Sequence, residues 1–227
     1  MAQVAEQGPL VMVACTDAVL GHPEAARHRL NALEEQRAAR FRREEDRRNF
    51  VAAHLLVRIC ATRLLGVGAA PLEFAQQCPD CGLADHGRPY LPGHPRLQVS
   101  LSHTRGVVAA AAGYGTVGVD VELPQRGALD AALLQRVLSP AETELVRAQP
   151  DPEGAFLRQW VRKEALIKVG RTTLDTMGEI DLSALPLSAE GQLRSRFEQL
   201  HFLDWTDARL GATTVVVAAE APVLGTL

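Results

Sequence analysis

The chain has 227 residues, 47% of them apolar and 22% charged, with a formal net charge of −3. That size and apolar share suffice for one large core or two small ones, and the charge excludes a global basic field for nucleic acid. Four cysteines are too few for a disulfide framework, the first residues lack a secretory pattern, and no apolar run reaches bilayer length, so a soluble, cytoplasmic setting is expected.

In chain order, Pro9 to Ala14 reads as a buried strand. A long helix is expected from about Ala32 to Leu65, with Arg37, Arg40, Arg42, Arg43, Arg47 and Arg48 crowded on its first half. The Pro/Gly-rich stretch from Cys78 to Pro95 reads as loop. Leu97, Val99 and Leu101 alternate as a strand face, and Arg105 to Ala111 closes the first half as a strand. After a join near Gly113-Tyr114-Gly115 come a strand at Val117 to Val121 and a helix from Phe156. An irregular region from Gly170 to Gly191 and a closing strand at Thr213 to Ala219 complete the series.

These elements repeat. Pro9–Ala14 matches Val117–Val121, Phe50–Arg58 matches Phe156–Glu164, and Arg105–Ala111 matches Thr213–Ala219, each about 107 positions on. The expected fold class is α+β, with two similar lobes, residues 1–113 and 114–227, related by a pseudo-two-fold axis. A cleft between such lobes is a favoured ligand site, and internal duplication favours a monomer.

Several residues carry chemistry. Asp120 and Glu122 lie two apart on a strand, so both carboxylates share one face and suit a hard cation such as Mg²⁺. The same pair on an isolated strand is ordinarily just solvated. Only two lysines occur against twenty-two arginines, and both lie in Trp160-Val161-Arg162-Lys163-Glu164-Ala165-Leu166-Ile167-Lys168. Helical spacing puts Trp160, Lys163, Glu164 and Lys168 in an arc of about 140°. That array serves either as a surface salt bridge or as a carboxylate between two amines at a phosphate site. Ser102 and His103 at a strand end offer hydroxyl and imidazole to an anion. The arginine cluster is either a solvated face balanced by Glu34, Glu35, Glu44, Glu45 and Asp46, or a phosphate grip. Cys78-Pro79-Asp80-Cys81 followed by His86 looks like half of a zinc knuckle. With no second CxxC, a plain loop carrying thiols is expected, because a structural tetrahedral site takes four ligands.

In combination, Gly87-Arg88-Pro89, Leu101-Ser102-His103-Thr104, Gly118-Val119-Asp120-Val121-Glu122 and Trp160 to Lys168 resemble the 4′-phosphopantetheinyl transferases, in particular the larger, Sfp-type group serving polyketide and nonribosomal peptide synthases. The resemblance covers about residues 33 to 219 and implies the family's two-lobed pseudo-symmetric fold. It also implies the activity, transfer of the 4′-phosphopantetheine arm of coenzyme A to a serine of an apo acyl or peptidyl carrier protein, with release of adenosine 3′,5′-bisphosphate (the holo-carrier-protein synthase type). On this reading Asp120, Glu122 and Glu164 hold Mg²⁺ (or Mn²⁺), and Glu164 is the candidate base for the carrier serine, directly or through a bound water. Lys168 and His103 meet the pyrophosphate, and Lys163 belongs to the same catalytic motif. Ser102, Arg37, Arg40 and Arg48 hold the 3′-phosphate, Gly87, Arg88 and Pro89 line the adenine, and Glu142 supports from behind. Two departures stand out: Arg88 where lysine is common, and Asn49 where a basic residue is common, which leaves Arg47 or Arg48 to substitute. The partners implied are coenzyme A and carrier proteins, with no nucleic acid and no membrane. The competing readings are another Mg²⁺-dependent phosphoryl enzyme sharing only the acidic pair, and a carrier-docking module without chemistry.

Overall fold

The structure, a computed structural model, describes residues 8–66, 72–78, 81–84, 86–124, 130–187 and 191–227. The first half runs β1 (Leu10–Cys15), α1 (Thr16–Leu20), α2 (Ala32–Ala39), α3 (Glu44–Leu65), β2 (Ala75–Gln77), β3 (Arg88–Tyr90), β4 (Gln98–Thr104) and β5 (Val107–Gly113). The second runs β6 (Val117–Glu122), α4 (Ala131–Val137), α5 (Pro140–Arg147), α6 (Pro152–Lys168), β7 (Gln192–Phe197), β8 (Leu200–Asp207), β9 (Ala212–Ala218) and β10 (Val223–Gly225). The architecture is mixed α and β, as expected.

Two sheets organise the molecule. One has the order β10-β1-β5-β4-β3-β2, the other β6-β9-β8-β7. The matched segments form matched pairs: β1 is antiparallel to β5 with Leu10 opposite Ala112, and β6 is antiparallel to β9 with Val117 opposite Ala218. The first sheet takes β1 to β5 and the second β6 to β9, with one strand crossing back. β10 returns to the first sheet and pairs parallel with β1, Val223 opposite Leu10.

Strand period decides the layering. β5 is apolar on both faces, which a half-exposed strand could not be. Its Val108, Ala110 and Ala112 meet Leu56, Ile59 and Cys60 of α3. Its Val107, Ala109 and Ala111 pack with Val11 against Val117, Val119 and Val121 of β6 and Val216 of β9. On the far face of the second sheet, Phe202, Val215 and Val217 take Val161, Ala165 and Leu166 of α6. The result is four layers, helix–sheet–sheet–helix. The middle of the molecule is packed valine and alanine, so the expected cleft is not open through the centre.

The single helix expected from Ala32 to Leu65 is two helices. Asn31 caps α2 through a reciprocal box with Glu34, and the chain breaks at Arg40–Arg43, where Arg43 is extended, before α3 starts with Glu44, Glu45 and Asp46 in its first turn. The break turns Glu34 inward. It is 3% exposed and bonds His54 at 2.6 Å and Arg58 at 2.6 Å, so Glu34 is not one of the acids of a solvated face. The expected loop from Cys78 to Pro95 likewise contains β3. No helix among the described residues is long and apolar enough to cross a membrane.

Candidate active site

β6 is an edge strand of the second sheet, and its exposed edge is closed by the first. Ser100, Ser102 and Thr104 lie on one face of β4 by period two. Ser100 Oγ accepts from Val119 N at 3.0 Å, Ser102 Oγ donates to Asp120 Oδ1 at 2.6 Å, and Thr104 hydrogen-bonds Glu122. Three hydroxyls thus match three successive points on β6. Gly118 lets α6 lie on this strand, since a Cβ there would sit 2.7 Å from Ala165 O and 2.8 Å from Val169. That close approach brings Glu164 and Lys168 to the side of β6 that carries Asp120 and Glu122.

Lys168 Nζ donates to Asp120 Oδ1 at 2.8 Å, Val119 O at 2.8 Å and Leu101 O at 3.2 Å. All three ammonium protons go to protein acceptors, so Lys168 bridges β4 and β6 and does not stand free for a phosphate. Ser102 is equally engaged by Asp120. By contrast Asp120 Oδ2 is buried and accepts no hydrogen bond. Burial, and then the Asp120 carboxylate beside it, push Glu122 up to about 7. Burial and Asp120 raise Glu164 as well. Three carboxylates faced by one ammonium are short of positive charge, and an orphaned buried oxygen calls for a partner. A divalent cation with oxygen preference answers both needs. The three carboxylates are not drawn within 4.8 Å of one another, a spacing that among the described residues only Cys78, Cys81 and His86 reach. His103, on the opposite face of β4, has its basicity lowered by burial, with His54 and Lys168 adding to it, and is a neutral imidazole near neutral pH.

Lys163 does not join the site. Its side chain is fully buried, and Nζ donates to Glu142 Oε2 at 2.6 Å, Ile180 O at 2.7 Å and Met177 O at 2.9 Å. Helical spacing turned it 100° away from Glu164, into the packing of α5 against α6. Glu142, also fully buried, takes Ser139 N at 2.7 Å and Leu182 N at 3.0 Å besides Lys163. It is a structural hub behind α6. On the other flank Arg162 grips Asp204 of β8 at 2.8 Å, and Arg158 bonds the same carboxylate. These buried pins fix the roll of α6 and so aim Glu164. Sequence reasoning missed Asp204 and the hydroxyl ladder; the alternation Ser100, Ser102, Thr104 was the available signal for the latter.

The expected nucleotide-side residues fall into two groups. Arg37 bonds Gln76 and lies 5.0 Å from the Phe50 ring centroid; Gln76 Nε2 donates to Gly87 O at 3.1 Å and pairs with Pro89 across β2–β3. Arg88 and Pro89 line a cavity of about 500 Å³ with Gln77, Tyr90 and Gln98. Arg48 instead pairs with Asp17 at 2.6 Å beside a cavity of about 320 Å³ that includes Gly106. Arg40 ends α2 and is exposed. Asn49 is buried, its Oδ1 accepting from Thr16 Oγ1 at 2.6 Å and Gly106 N at 3.2 Å, so it ties α3 to α1 and to the turn at Gly106.

Residues 116–219 match the family model described as the 4′-phosphopantetheinyl transferase superfamily. A 4′-phosphopantetheinyl transferase of Bacillus subtilis is 28% identical over 141 residues, which are 61% of this chain and 59% of that protein. The match thus spans somewhat under two thirds of the relative's length. β6 with Asp120 and Glu122, α6 with Glu164 and Lys168, and β9 behind them all lie inside the matched span, so the likeness to the 4′-phosphopantetheinyl transferase superfamily covers the elements that carry the acidic site.

Proposed function

We propose that the protein transfers the 4′-phosphopantetheine arm of coenzyme A to a serine of apo acyl or peptidyl carrier proteins, releasing adenosine 3′,5′-bisphosphate. The observation that carries this reading is the orphaned Asp120 Oδ2 between two carboxylates of raised pKa, inside the family-matched span. Asp120, Glu122 and Glu164 would hold Mg²⁺, or Mn²⁺ in its place, which supplies positive charge to the pyrophosphate as its bridging P–O bond breaks.

The chain's own residues do the rest. Glu164 accepts the proton from the carrier serine Oγ, for which a carboxylate raised above its ordinary value is better matched than an exposed one. The serine oxygen bonds to the phosphorus of the arm, and the electron pair of the broken bond leaves on the adenosine bisphosphate. His103 donates from its neutral ring to a phosphate oxygen. Lys168 and Ser102 hold Asp120 in place as positioning residues, a narrower role than direct phosphate contact. Arg37, with Arg40 and Arg48, receives the 3′-phosphate, and Gly87, Arg88 and Pro89 form the wall for the adenine. The enzyme works as a cytoplasmic monomer of the kind that serves polyketide or nonribosomal peptide synthases.

The test is mass spectrometry of a panel of apo acyl and peptidyl carriers incubated with the full chain, coenzyme A and Mg²⁺. At least one carrier gains the mass of one phosphopantetheine arm. No gain across the panel overturns the reading.

A further inference from the structure

The connection between β2 and β3 gathers three soft ligands that the transferase chemistry does not use. Cys78, Cys81 and His86 place one ligand atom each within 4.8 Å of one another, and Cys81 Sγ lies 3.4 Å from His86 Nε2. Tetrahedral zinc, with Zn–S of about 2.3 Å and Zn–N of about 2.0 Å, separates S from N by about 3.6 Å and S from S by about 3.8 Å. Cys81 and His86 already sit near the required separation, and the wider pairs would close by at most about 1.2 Å.

The backbone is built to keep them there. Gly82 N donates to Cys78 O and Cys78 N to Leu83 O, both at 2.9 Å, which ties Cys78 to the residues that follow Cys81. His86 is brought back by Gly87, whose φ of 96° and lack of a side chain are both required: a Cβ would sit 2.4 Å from Cys78 Cα and Gln77 O. A glycine this tightly enclosed fixes the distance between the histidine and the two thiols. Cys78 is buried whereas Cys81 and His86 are exposed, so an ion can enter from solvent.

We propose that Cys78, Cys81 and His86 bind one zinc ion, with water at the fourth position. Each thiol gives up its proton to solvent on binding, and two thiolates with one imidazole prefer zinc to the hard cation suited to Asp120, Glu122 and Glu164. The ion's place defines its effect. Cys78 lines the same cavity of about 500 Å³ as Arg88 and Pro89, so zinc would staple the end of the β2–β3 hairpin and stiffen that wall. This site stands whether or not the cavity receives a nucleotide.

The experiment uses the full chain. Protein stripped with a chelator and refilled with Zn²⁺ binds one equivalent by elemental analysis. Refilling with Co²⁺ gives the intense visible bands of a four-coordinate ion and a thiolate charge-transfer band. In the unmodified chain, Zn²⁺ protects Cys78 and Cys81 from alkylation, a readout that needs no variant to fold. His86→Asn weakens zinc binding by at least about tenfold, while Glu164→Gln keeps full stoichiometry. Zinc that fails to protect the two thiols overturns the proposal, as does a stoichiometry lost in Glu164→Gln. Recovery of a Cys78–Cys81 disulfide at the same rate with and without Zn²⁺ also overturns it and marks the pair as redox-active.

Discussion

Ser102 on the first sheet donates to Asp120 on the second, at 2.6 Å, onto the same Oδ1 that Lys168 reaches at 2.8 Å. Two donors on one oxygen turn the other, Oδ2, away from every protein partner. Ser102→Ala removes one of the two and loosens the carboxylate. The expected result is a stability loss of about 1 kcal/mol and a Mg²⁺ affinity lower by about tenfold, read by thermal unfolding and calorimetry. An unchanged affinity would detach Ser102 from the site.

Glu164→Gln keeps the size and helix position of the side chain but cannot take a proton. Turnover on carrier protein is expected to drop by about 100-fold or more, with coenzyme A affinity nearly unchanged. Single-turnover kinetics beside equilibrium binding separates the two. Equal losses in both would make Glu164 a binding residue only.

Lys163→Met leaves Glu142 buried without its cation. Removing one partner of a buried pair costs about 3–5 kcal/mol, so the variant unfolds at a much lower denaturant midpoint. The double variant Lys163→Met/Glu142→Gln regains part of the loss. A Lys163→Met protein with normal stability and no turnover would return Lys163 to the catalytic machinery.

Two glutamates give pH dependences of opposite sign. Burial alone would raise Glu34, but the hydrogen bonds from His54 and Arg58 outweigh it and hold the carboxyl at about 2. A depressed carboxyl contributes stability that is complete above its unfolded value of 4.5 and is lost as pH falls toward 2, here on the order of 3 kcal/mol. Glu122, pushed up to about 7, binds its proton more tightly folded than unfolded. Its contribution is present below 4.5 and is lost as pH rises through 7, on the order of 1 kcal/mol after discounting for its partial exposure. In the metal-free protein, Glu34→Gln flattens the acid limb of stability, and Glu122→Gln raises the midpoint at pH 8 but not at pH 4. Mg²⁺ affinity of the unaltered chain climbs with pH up to about 7, and Glu122→Gln removes that climb. Denaturation and calorimetry across pH check each limb.

The two lysines show what was legible in the sequence and what was not. Their clustering in an arginine-rich chain drew attention to α6. Each ammonium proves to meet one carboxylate and two backbone carbonyls: Glu142, Met177 and Ile180 for Lys163, and Asp120, Leu101 and Val119 for Lys168. A tripod of donors fits three converging acceptors, which a planar guanidinium does not. Spacing within α6 gave the angle between the lysines but not what lay opposite each, because those acceptors come from α5, β4, β6 and the turns near Met177. The Asp120–Glu122 face and the repeated strand pairs could be read from period two and from the offset between halves. The break between α2 and α3 could not, since it rests on Glu34 meeting His54 and Arg58, a contact across 20 and 24 positions.

β10 has a mechanical consequence. The two sheets are joined by the covalent step from β5 to β6 and again where the chain leaves β9 to lie along β1, with Val223 N donating to Pro9 O at 2.8 Å and Arg63 bonding Thr226 O. A door with one hinge swings; a door strapped at a second point does not. Parting the sheets would first have to unzip β10, so the oxygen cluster around Asp120 sits in a frame that resists breathing. Any motion that admits a ligand then falls to the loops around that frame, while the frame itself holds its shape.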